Sequence, residues 1–298
     1  MLLKRSVAII ATIFSLNVLA SDLDKANELY SQRGLTGEEA GYANKAGQIY
    51  LNLARTRSNS LQEKATLLTH ASKAFFFDAM IMSDDNKKEK LAKYWSAFEL
   101  GLEACNIMGT SACDEKNPVG VKEGFDKSQL ALAMYWAGAN AARWGKIKGP
   151  FSSLSKWRNI LLPRIKDMLV LDSTVNNYGL HRIAGGALNV LGGDINGRDA
   201  LNFMTEAFEA TAHDVDGVYL ANDMATNVFY LDALRKAGRN EMYCELYDSI
   251  IEAEEIGQDD SEFLEAMFPG MVADYHWVMK NDFYSEKKFE RHYRRKCD

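Results

Sequence analysis

Proline is scarce in this chain, and its scarcity limits the folds that the sequence can adopt. Only four prolines occur in 298 residues. Because proline removes a backbone hydrogen-bond donor and interrupts helices, a chain with so few of them can form long uninterrupted helices. The patterns between the prolines therefore decide the fold class.

Three long segments carry apolar residues three or four positions apart. They run from Leu61 to Met82, from Leu91 to Ile107 and from Leu130 to Trp144. This spacing places the apolar side chains on one face of an α-helix, which then packs against a neighbour. No alternating pattern of comparable length indicates a β-strand. The sequence therefore predicts an all-α fold.

Short polar or glycine-rich stretches separate the helical segments, among them Gly192-Gly193-Asp194 and Gly257-Gln258-Asp259-Asp260. Tetratricopeptide units of about 34 residues have small residues where their two helices cross. The small residues expected at one such crossing are present in the sequence as Gly185-Gly186-Ala187, Ala200 and Ala207. We therefore expect an α-solenoid of tetratricopeptide-like helix pairs.

The first twenty residues have the features of a secretory signal. Two cations precede an apolar stretch from Val7 to Leu16, and Val18-Leu19-Ala20 has the small-residue pattern of a cleavage site. The alternative is a retained N-terminal anchor. We predict a signal peptide at residues 1–20, export of the mature chain, and a single helical-repeat domain over residues 21–298 with no membrane span.

Four cysteines follow the signal, and an even number in an exported chain favours disulfides. Proximity in sequence favours a bridge between Cys105 and Cys113. A second bridge between Cys244 and Cys297 would then tie the C-terminal tail to an earlier helix, although three connectivities are open. The close C-x-x-C spacing typical of zinc sites is absent.

The charge balance is acidic, with a formal net charge of −6. Removal of the signal and its two cations gives −6 − 2 = −8, which argues against nucleic acid as a partner. The C-terminus is an exception to this balance. Six basic residues lie there: Lys287, Lys288, Arg291, Arg294, Arg295 and Lys296. They form either a solvated helix face or a surface that steers an acidic partner, and both interpretations are open.

Sequence signatures of catalysis are lacking. The five histidines are scattered, and none forms H-E-x-x-H or an i, i+4 pair. There is no G-x-S-x-G nucleophile elbow. We therefore predict a protein that is not an enzyme and has no catalytic residues, metal or cofactor. A hydrolase or lyase with an unrecognised site that includes His181 is the alternative.

The most distinctive segment contains Trp136, Asn140 and Trp144. These residues are four apart and therefore share one face of a helix. One interpretation is a tightly packed central helix whose Asn140 bonds to a neighbouring backbone. The other is the wall of an apolar pocket with a few placed polar groups.

The second group of candidate residues is Tyr178, His181 and Arg182. They lie at the start of a predicted helix whose later residues are small and apolar. Arg182 could meet an acidic ligand or pair with Asp172 or Asp194. We take six residues as candidate ligand-binding residues: Trp136, Asn140, Trp144, Tyr178, His181 and Arg182.

An ordered set of short motifs lies between Ala131 and Leu234, over about a third of the chain. Its pieces are Tyr135-Trp136-x-x-x-Asn140-x-x-x-Trp144-Gly145, Leu169-x-Leu171-Asp172, Tyr178-Gly179-x-His181-Arg182, Gly185-Gly186, Leu191-Gly192-Gly193-Asp194, Ala200, Phe203 and Ala207-Phe208. In order and spacing this set resembles the TatT-like (T component) proteins associated with tripartite ATP-independent periplasmic (TRAP) transporters.

The resemblance implies a periplasmic adaptor that docks the extracytoplasmic substrate-binding protein of the transporter. It also implies a small hydrophobic ligand and self-association as a homo-oligomer such as a trimer. Two departures from the family are that Ser21 occupies the position of a lipid-anchored cysteine, and that the stretch around Tyr275-His276-Trp277 matches poorly. A general cell-envelope scaffold for protein assembly, with no link to transport, is the alternative function.

Overall fold

The helices form where the apolar spacing predicts them. A computed structural model describes residues 21–58, 60–115, 117–149, 155, 157–191, 198–270 and 272–297. Leu61–Ile81, Lys87–Met108 and Lys127–Lys148 are α-helices. The three predicted segments are therefore confirmed to within about one helical turn at each end.

The described chain is almost entirely helical. Its helices are α1 (residues 21–31), α2 (Tyr42–Thr56), α3 (Leu61–Ile81), α4 (Lys87–Met108), α5 (Lys127–Lys148), α6 (Leu162–Leu171), α7 (Val175–Leu191), α8 (Arg198–Thr211), α9 (Met224–Ala237), α10 (Asn240–Asp259), α11 (Ser261–Met267), α12 (Val272–Val278) and α13 (Lys288–Lys296). Two strands, β1 (Ala212–Val215) and β2 (Val218–Ala221), complete the regular elements, with 3₁₀ turns at Glu39–Gly41 and Asp84–Asn86 and π-helical turns at Trp157–Leu161 and Met279–Tyr284.

The packing divides the chain into two compact units. Unit 1 consists of the described part of Met1–Cys113 together with Gly120–Ile147, and unit 2 consists of Asp114–Val119 and the described part of Lys148–Asp298. Each unit has its own core of packed helices. The expectation of a single helical-repeat domain over residues 21–298 stays a prediction.

Neighbouring helices of unit 1 pack as antiparallel pairs. Gly47 of α2 lies so close to α3 that a Cβ there would be 2.6 Å from the Phe75 ring. One turn further along α2, the Tyr50 ring lies 5.2 Å from that of His70, so the two helices run antiparallel. Glycine at the crossing therefore sets how closely the pair approaches.

The start of α3 is fixed by a sequence-local cap. The Ser60 hydroxyl oxygen accepts a hydrogen bond from the backbone N–H of Glu63 at 3.1 Å. Serine followed three residues later by glutamate is the capping-box sequence, which satisfies free N–H groups of the first turn. The helix therefore begins at Leu61, as its apolar spacing predicts.

The small-residue crossing predicted in unit 2 is confirmed. A Cβ on Gly185 of α7 would lie 2.8 Å from Met204 and 3.1 Å from the Ala200 carbonyl oxygen, both in α8. The fold is therefore all-α, with helix-pair packing of the kind found in α-solenoids. The predicted turn at Gly192-Gly193-Asp194 lies outside the described residues.

The predicted turn at Gly257–Asp260 is wrong over most of its length, because α10 continues to Asp259. A Cβ on Gly257 would collide with the side chain of Leu264 in α11. Glycine at this position therefore permits close packing of two helices and does not end one. Asp260 is the N-cap residue of α11, and its side chain accepts hydrogen bonds from the backbone N–H groups of Glu262 and Phe263.

One β-hairpin interrupts the helices of unit 2. Strands β1 and β2 pair antiparallel, with Ala212 opposite Ala221. Asp216 and Gly217 connect them with φ angles of 54° and 91°, as a two-residue type I′ turn requires. The sequence prediction, which found no long alternating pattern, missed this short hairpin.

Both predicted cysteine pairs lie at disulfide distance. Cys105 pairs with Cys113 across 6.1 Å between Cα atoms, and Cys244 pairs with Cys297 across 5.7 Å. Two such pairs are compatible with an oxidising extracytoplasmic compartment. None of the described helices combines the length and apolar character needed to cross a membrane. The predicted signal peptide at residues 1–20 lies outside the described residues.

Candidate functional site

Trp136 lies on the buried face of α5 in unit 1, within a wall of aromatic rings. Its ring centroid is 5.5 Å from that of Phe76 and 4.7 Å from that of Tyr135. Only 7% of the residue is exposed. Within the described part of the chain, its indole N–H has no hydrogen-bond acceptor. A buried donor without an acceptor is uncommon in native proteins.

Asn140 follows one helical turn later and is fully buried. Its Nδ2 donates to the Ser72 carbonyl oxygen at 3.3 Å, to the Ser72 hydroxyl at 3.2 Å and to the Trp136 carbonyl oxygen at 2.8 Å. Because two of these partners are carbonyl oxygens, the orientation of the amide is determined. Among the described residues, no donor reaches Oδ1. The predicted bond from Asn140 to a neighbouring backbone is therefore present, together with an unused acceptor.

Lys73 of α3 places a cation beside this aromatic wall. Its Nζ is 5.8 Å from the centroid of the Trp136 ring and 4.7 Å from that of the Tyr30 ring. Cations over aromatic faces are stabilised by the ring quadrupole. The sequence analysis missed Lys73, although a cation directly before the apolar run from Ala74 to Phe77 was a signal that could have identified it.

Trp144 lies two turns beyond Trp136 and is half-buried. Its ring packs at 5.0 Å from that of Trp95, whose indole N–H donates to Glu99 at 2.8 Å. Trp144 therefore contributes to the packing of α5 on α4. Its contact with Trp95 lies about two helical turns from the unpartnered indole of Trp136.

Arg182 of α7 is buried in unit 2 and forms an ion pair there. Its Nη2 is 2.9 Å from Oδ2 of Asp223, and its Nη1 donates to the Thr226 hydroxyl at 3.3 Å. A structural ion pair was one of the two interpretations of Arg182, with Asp172 or Asp194 as the expected partner; the structure adds Asp223 as a partner, and Asp194 lies outside the described residues. Asp223 is the N-cap residue of α9, so its ion pair with Arg182 joins α7 to α9.

The same guanidinium holds a strained turn at the start of α7. Asn176, Asn177 and Tyr178 have φ angles of 50°, 52° and 60°, in the left-handed region. Arg182 donates to the carbonyl oxygens of Asn176, at 3.0 Å, and of Asn177. Left-handed backbone costs about 1–2 kcal/mol for a residue with a Cβ, although asparagine tolerates it better. The buried guanidinium therefore compensates a strained backbone.

His181 lies beside this turn and forms a hydrogen bond with a surface carboxylate. Its Nε2 is 2.9 Å from Oε2 of Glu206, which is largely exposed. Burial lowers the pKa of His181 despite the opposing effect of the Glu206 carboxylate. The imidazole is therefore neutral at neutral pH and donates from Nε2 to Glu206. The ring of Tyr178 lies 5.4 Å away.

The structure divides the six candidate residues into two groups. Trp136, Asn140 and Trp144 belong to unit 1, whereas Tyr178, His181 and Arg182 belong to unit 2. The two groups differ chemically. In the group of unit 2 the guanidinium of Arg182 bonds within the fold, and Nδ1 of His181 is a buried atom without a hydrogen-bond partner among the described residues. In the group of unit 1 two such atoms lie one helical turn apart, the indole N–H of Trp136 as a donor and Oδ1 of Asn140 as an acceptor. The described residues contain no group of three or more His, Cys, Asp or Glu that could hold a metal ion.

No family model matches the chain, and no curated protein matches its sequence. The resemblance to the TatT-like proteins therefore stays a prediction, which depends on the ordered motifs between Ala131 and Leu234. The function that this similarity implies is a proposal.

Proposed function

We propose that the protein is a periplasmic adaptor of a TRAP-type solute transporter. In this role it docks the substrate-binding protein of the transporter and holds a small hydrophobic ligand in unit 1. The ordered motifs of α5, α7 and α8 support the proposal, and the two cysteine pairs are compatible with the oxidising compartment that it requires. Stacked helix pairs also provide extended surfaces suited to holding a protein partner.

The unpartnered donor and acceptor on α5 carry the ligand part of the proposal. Leaving one buried polar atom without a partner costs about 1–3 kcal/mol. Trp136 and Asn140 each contain such an atom, one turn apart on the same helix face. A ligand that bonds to both atoms removes both costs, and this gain in free energy favours the bound state.

The chemistry of these two atoms restricts the ligand. The Trp136 indole N–H requires an acceptor, whereas Oδ1 of Asn140 requires a donor. A hydroxyl group or an amide supplies both. The neighbouring rings of Phe76 and Tyr135 then contact the apolar remainder of the ligand. The proposed ligand is therefore a small, mainly apolar molecule with one such polar group.

Affinity capture tests the adaptor role. The tagged protein is crosslinked in an extract of its native envelope, and the captured proteins are identified by mass spectrometry. We expect reproducible recovery of a substrate-binding protein of a transporter. Recovery of the protein alone, or of cell-wall assembly proteins, would contradict the transport role and would favour the general envelope scaffold.

A paired variant tests the link between the ligand atoms and the partner. Trp136→Phe with Asn140→Leu removes both unpartnered polar atoms and keeps apolar volume at the two positions. Trp157→Phe, which alters a buried tryptophan of unit 2, is the matched control. If the ligand-bound form docks the partner, the double variant recovers less of the substrate-binding protein, while the control recovers as much as the wild type.

A further inference from the structure

The basic C-terminal helix is attached to unit 2 through one side only. Phe289 and His292 are buried, and the His292 ring lies 4.7 Å from that of Tyr243 in α10. The Tyr243 hydroxyl donates to the Phe289 carbonyl oxygen at 2.8 Å, and the pair Cys244–Cys297 joins the end of α13 to α10. The apolar side of α13 is therefore used inside the protein.

The opposite side of α13, together with its N-cap residue Lys287, presents a cationic stripe, formed by Lys287, Arg291, Arg294 and Arg295. All four residues are exposed. Their spacing of four, three and one places them within an arc of about 100° on the helix surface. Because the buried residues occupy the other side, the stripe faces solvent along the whole helix.

Acidic residues around α13 leave most of this charge uncompensated. Asp232 is paired with Lys288 at 3.3 Å and with Arg235 at 2.7 Å, and Asp248 accepts from the Tyr293 hydroxyl at 2.6 Å. Within the stripe, Glu290 pairs with Arg294. Glu286 pairs with Lys288 at 3.7 Å, and no described carboxylate forms an ion pair with the remaining three cations of the stripe. An acidic protein therefore keeps a local positive surface at this helix.

We propose that the cationic stripe docks on the surface of a bilayer that contains anionic phospholipid. Guanidinium groups bind phosphate oxygens through paired hydrogen bonds, and three of the four cations are arginines. Headgroup phosphates move laterally to meet fixed cations, whereas an acidic protein needs carboxylates at matching positions. Since the apolar side of α13 is already buried, the attachment is electrostatic, reversible and weakened by salt.

Vesicle binding tests this proposal with the purified protein in its oxidised form. Vesicles of equal parts phosphatidylglycerol and phosphatidylcholine are compared with vesicles of phosphatidylcholine alone, at low and at physiological salt. We expect binding to the anionic vesicles only, and weaker binding at the higher salt. Absence of binding to anionic vesicles at low salt would overturn the proposal.

Two charge-matched variants locate the surface. Arg291→Gln, Arg294→Gln and Arg295→Gln together remove three cations of the stripe, and we expect the partition coefficient to fall roughly 100-fold, since each surface charge contributes about fivefold. Lys25→Gln, Lys87→Gln and Lys88→Gln change the net charge equally in unit 1 and should keep wild-type binding. Equal losses in both variants, or no loss in the first, would contradict the assignment to α13. Circular dichroism and the melting temperature verify that both variants are folded.

A carboxylate probe separates a lipid surface from an acidic protein as the occupant. Immobilised poly-L-glutamate presents carboxylates without phosphate or a bilayer. If the wild-type protein binds poly-L-glutamate and fails to bind anionic vesicles at the same salt, the stripe is a site for acidic proteins and the lipid proposal is wrong. Preferential binding to the vesicles supports it. Neither result depends on the transporter partner, so this proposal can fail independently of the proposed function.

Discussion

His70 is expected to make the stability of unit 1 sensitive to acid. Burial, followed by the nearby charge of Lys73, lowers the pKa of His70 from 6.5 to about 4. Because its pKa is lower in the folded chain than in the unfolded chain, the unfolded chain binds the proton first as the pH falls. The stability that neutral His70 provides is therefore complete above about pH 6.5 and is lost progressively down to about pH 4.

The size of this effect follows from the two pKa values. A pKa lowered from 6.5 to about 4 corresponds to about 3 kcal/mol once His70 is protonated in both states, and to about 2 kcal/mol at about pH 5. Urea unfolding of the wild type and of His70→Gln at about pH 7.5 and about pH 5 measures it. Burial also lowers the pKa of His181 and His292, so both proteins lose stability on acidification. The wild type should lose about 2 kcal/mol more than the variant.

Direct titration of the His70 ring by NMR is the independent check. In Lys73→Gln the midpoint of this titration should be higher than in the wild type, because the neighbouring charge is removed. Two results would refute the reasoning: equal losses of stability in the wild type and His70→Gln, or a wild-type midpoint at the ordinary value of about 6.5 for histidine.

Three further substitutions test the covalent, backbone and ionic features of unit 2 through the free energy of unfolding in urea. Replacing Cys244 and Cys297 by serine opens a loop of 53 residues and should cost about 4 kcal/mol; no loss would contradict a formed disulfide. Asn177→Gly should be neutral or stabilising by up to about 1 kcal/mol, and Asn177→Val destabilising by about 1–2 kcal/mol, because only glycine accepts the left-handed region without cost. Arg182→Met should cost about 3–5 kcal/mol by leaving Asp223 buried without its ion pair, and adding Asp223→Leu should recover part of that loss.

The helices could be predicted because their determinants are local. The apolar spacing of α3, α4 and α5 follows the helical period, and the serine before α3 with glutamate three residues later fixes its first turn. The pairing of Cys105 with Cys113 was similarly predictable from their short separation in the chain. Features that depend on neighbours in sequence were therefore accessible without a structure.

The hairpin and the end of α10 could not be predicted as easily. Each strand of the hairpin is four residues long, too short for an alternating pattern to stand out, although Asp216-Gly217 is a common type I′ turn sequence. Gly257 resembled a turn residue, whereas its role is set by Leu264 in the next helix. The sequence alone does not distinguish a glycine that permits close helix packing from a glycine that forms a turn.

The candidate site was predictable in its residue types but not in its arrangement. Helical spacing correctly placed Trp136 and Asn140 on one face of α5. The sequence did not indicate that the second group of candidates belongs to a different compact unit. It also did not identify Asp223 as the partner of Arg182, because that pair joins residues 41 positions apart in sequence (223 − 182 = 41) and depends on how α7 packs against α9.

The central claim is that α5 holds a small ligand through the two unpartnered polar atoms. Native mass spectrometry of the protein purified from its own envelope tests this claim most directly. We predict a bound small molecule in the wild type and in Trp157→Phe, and its absence from the folded double variant Trp136→Phe/Asn140→Leu. A wild-type spectrum with only the mass of the chain itself, or the same bound molecule in the double variant, would contradict the account.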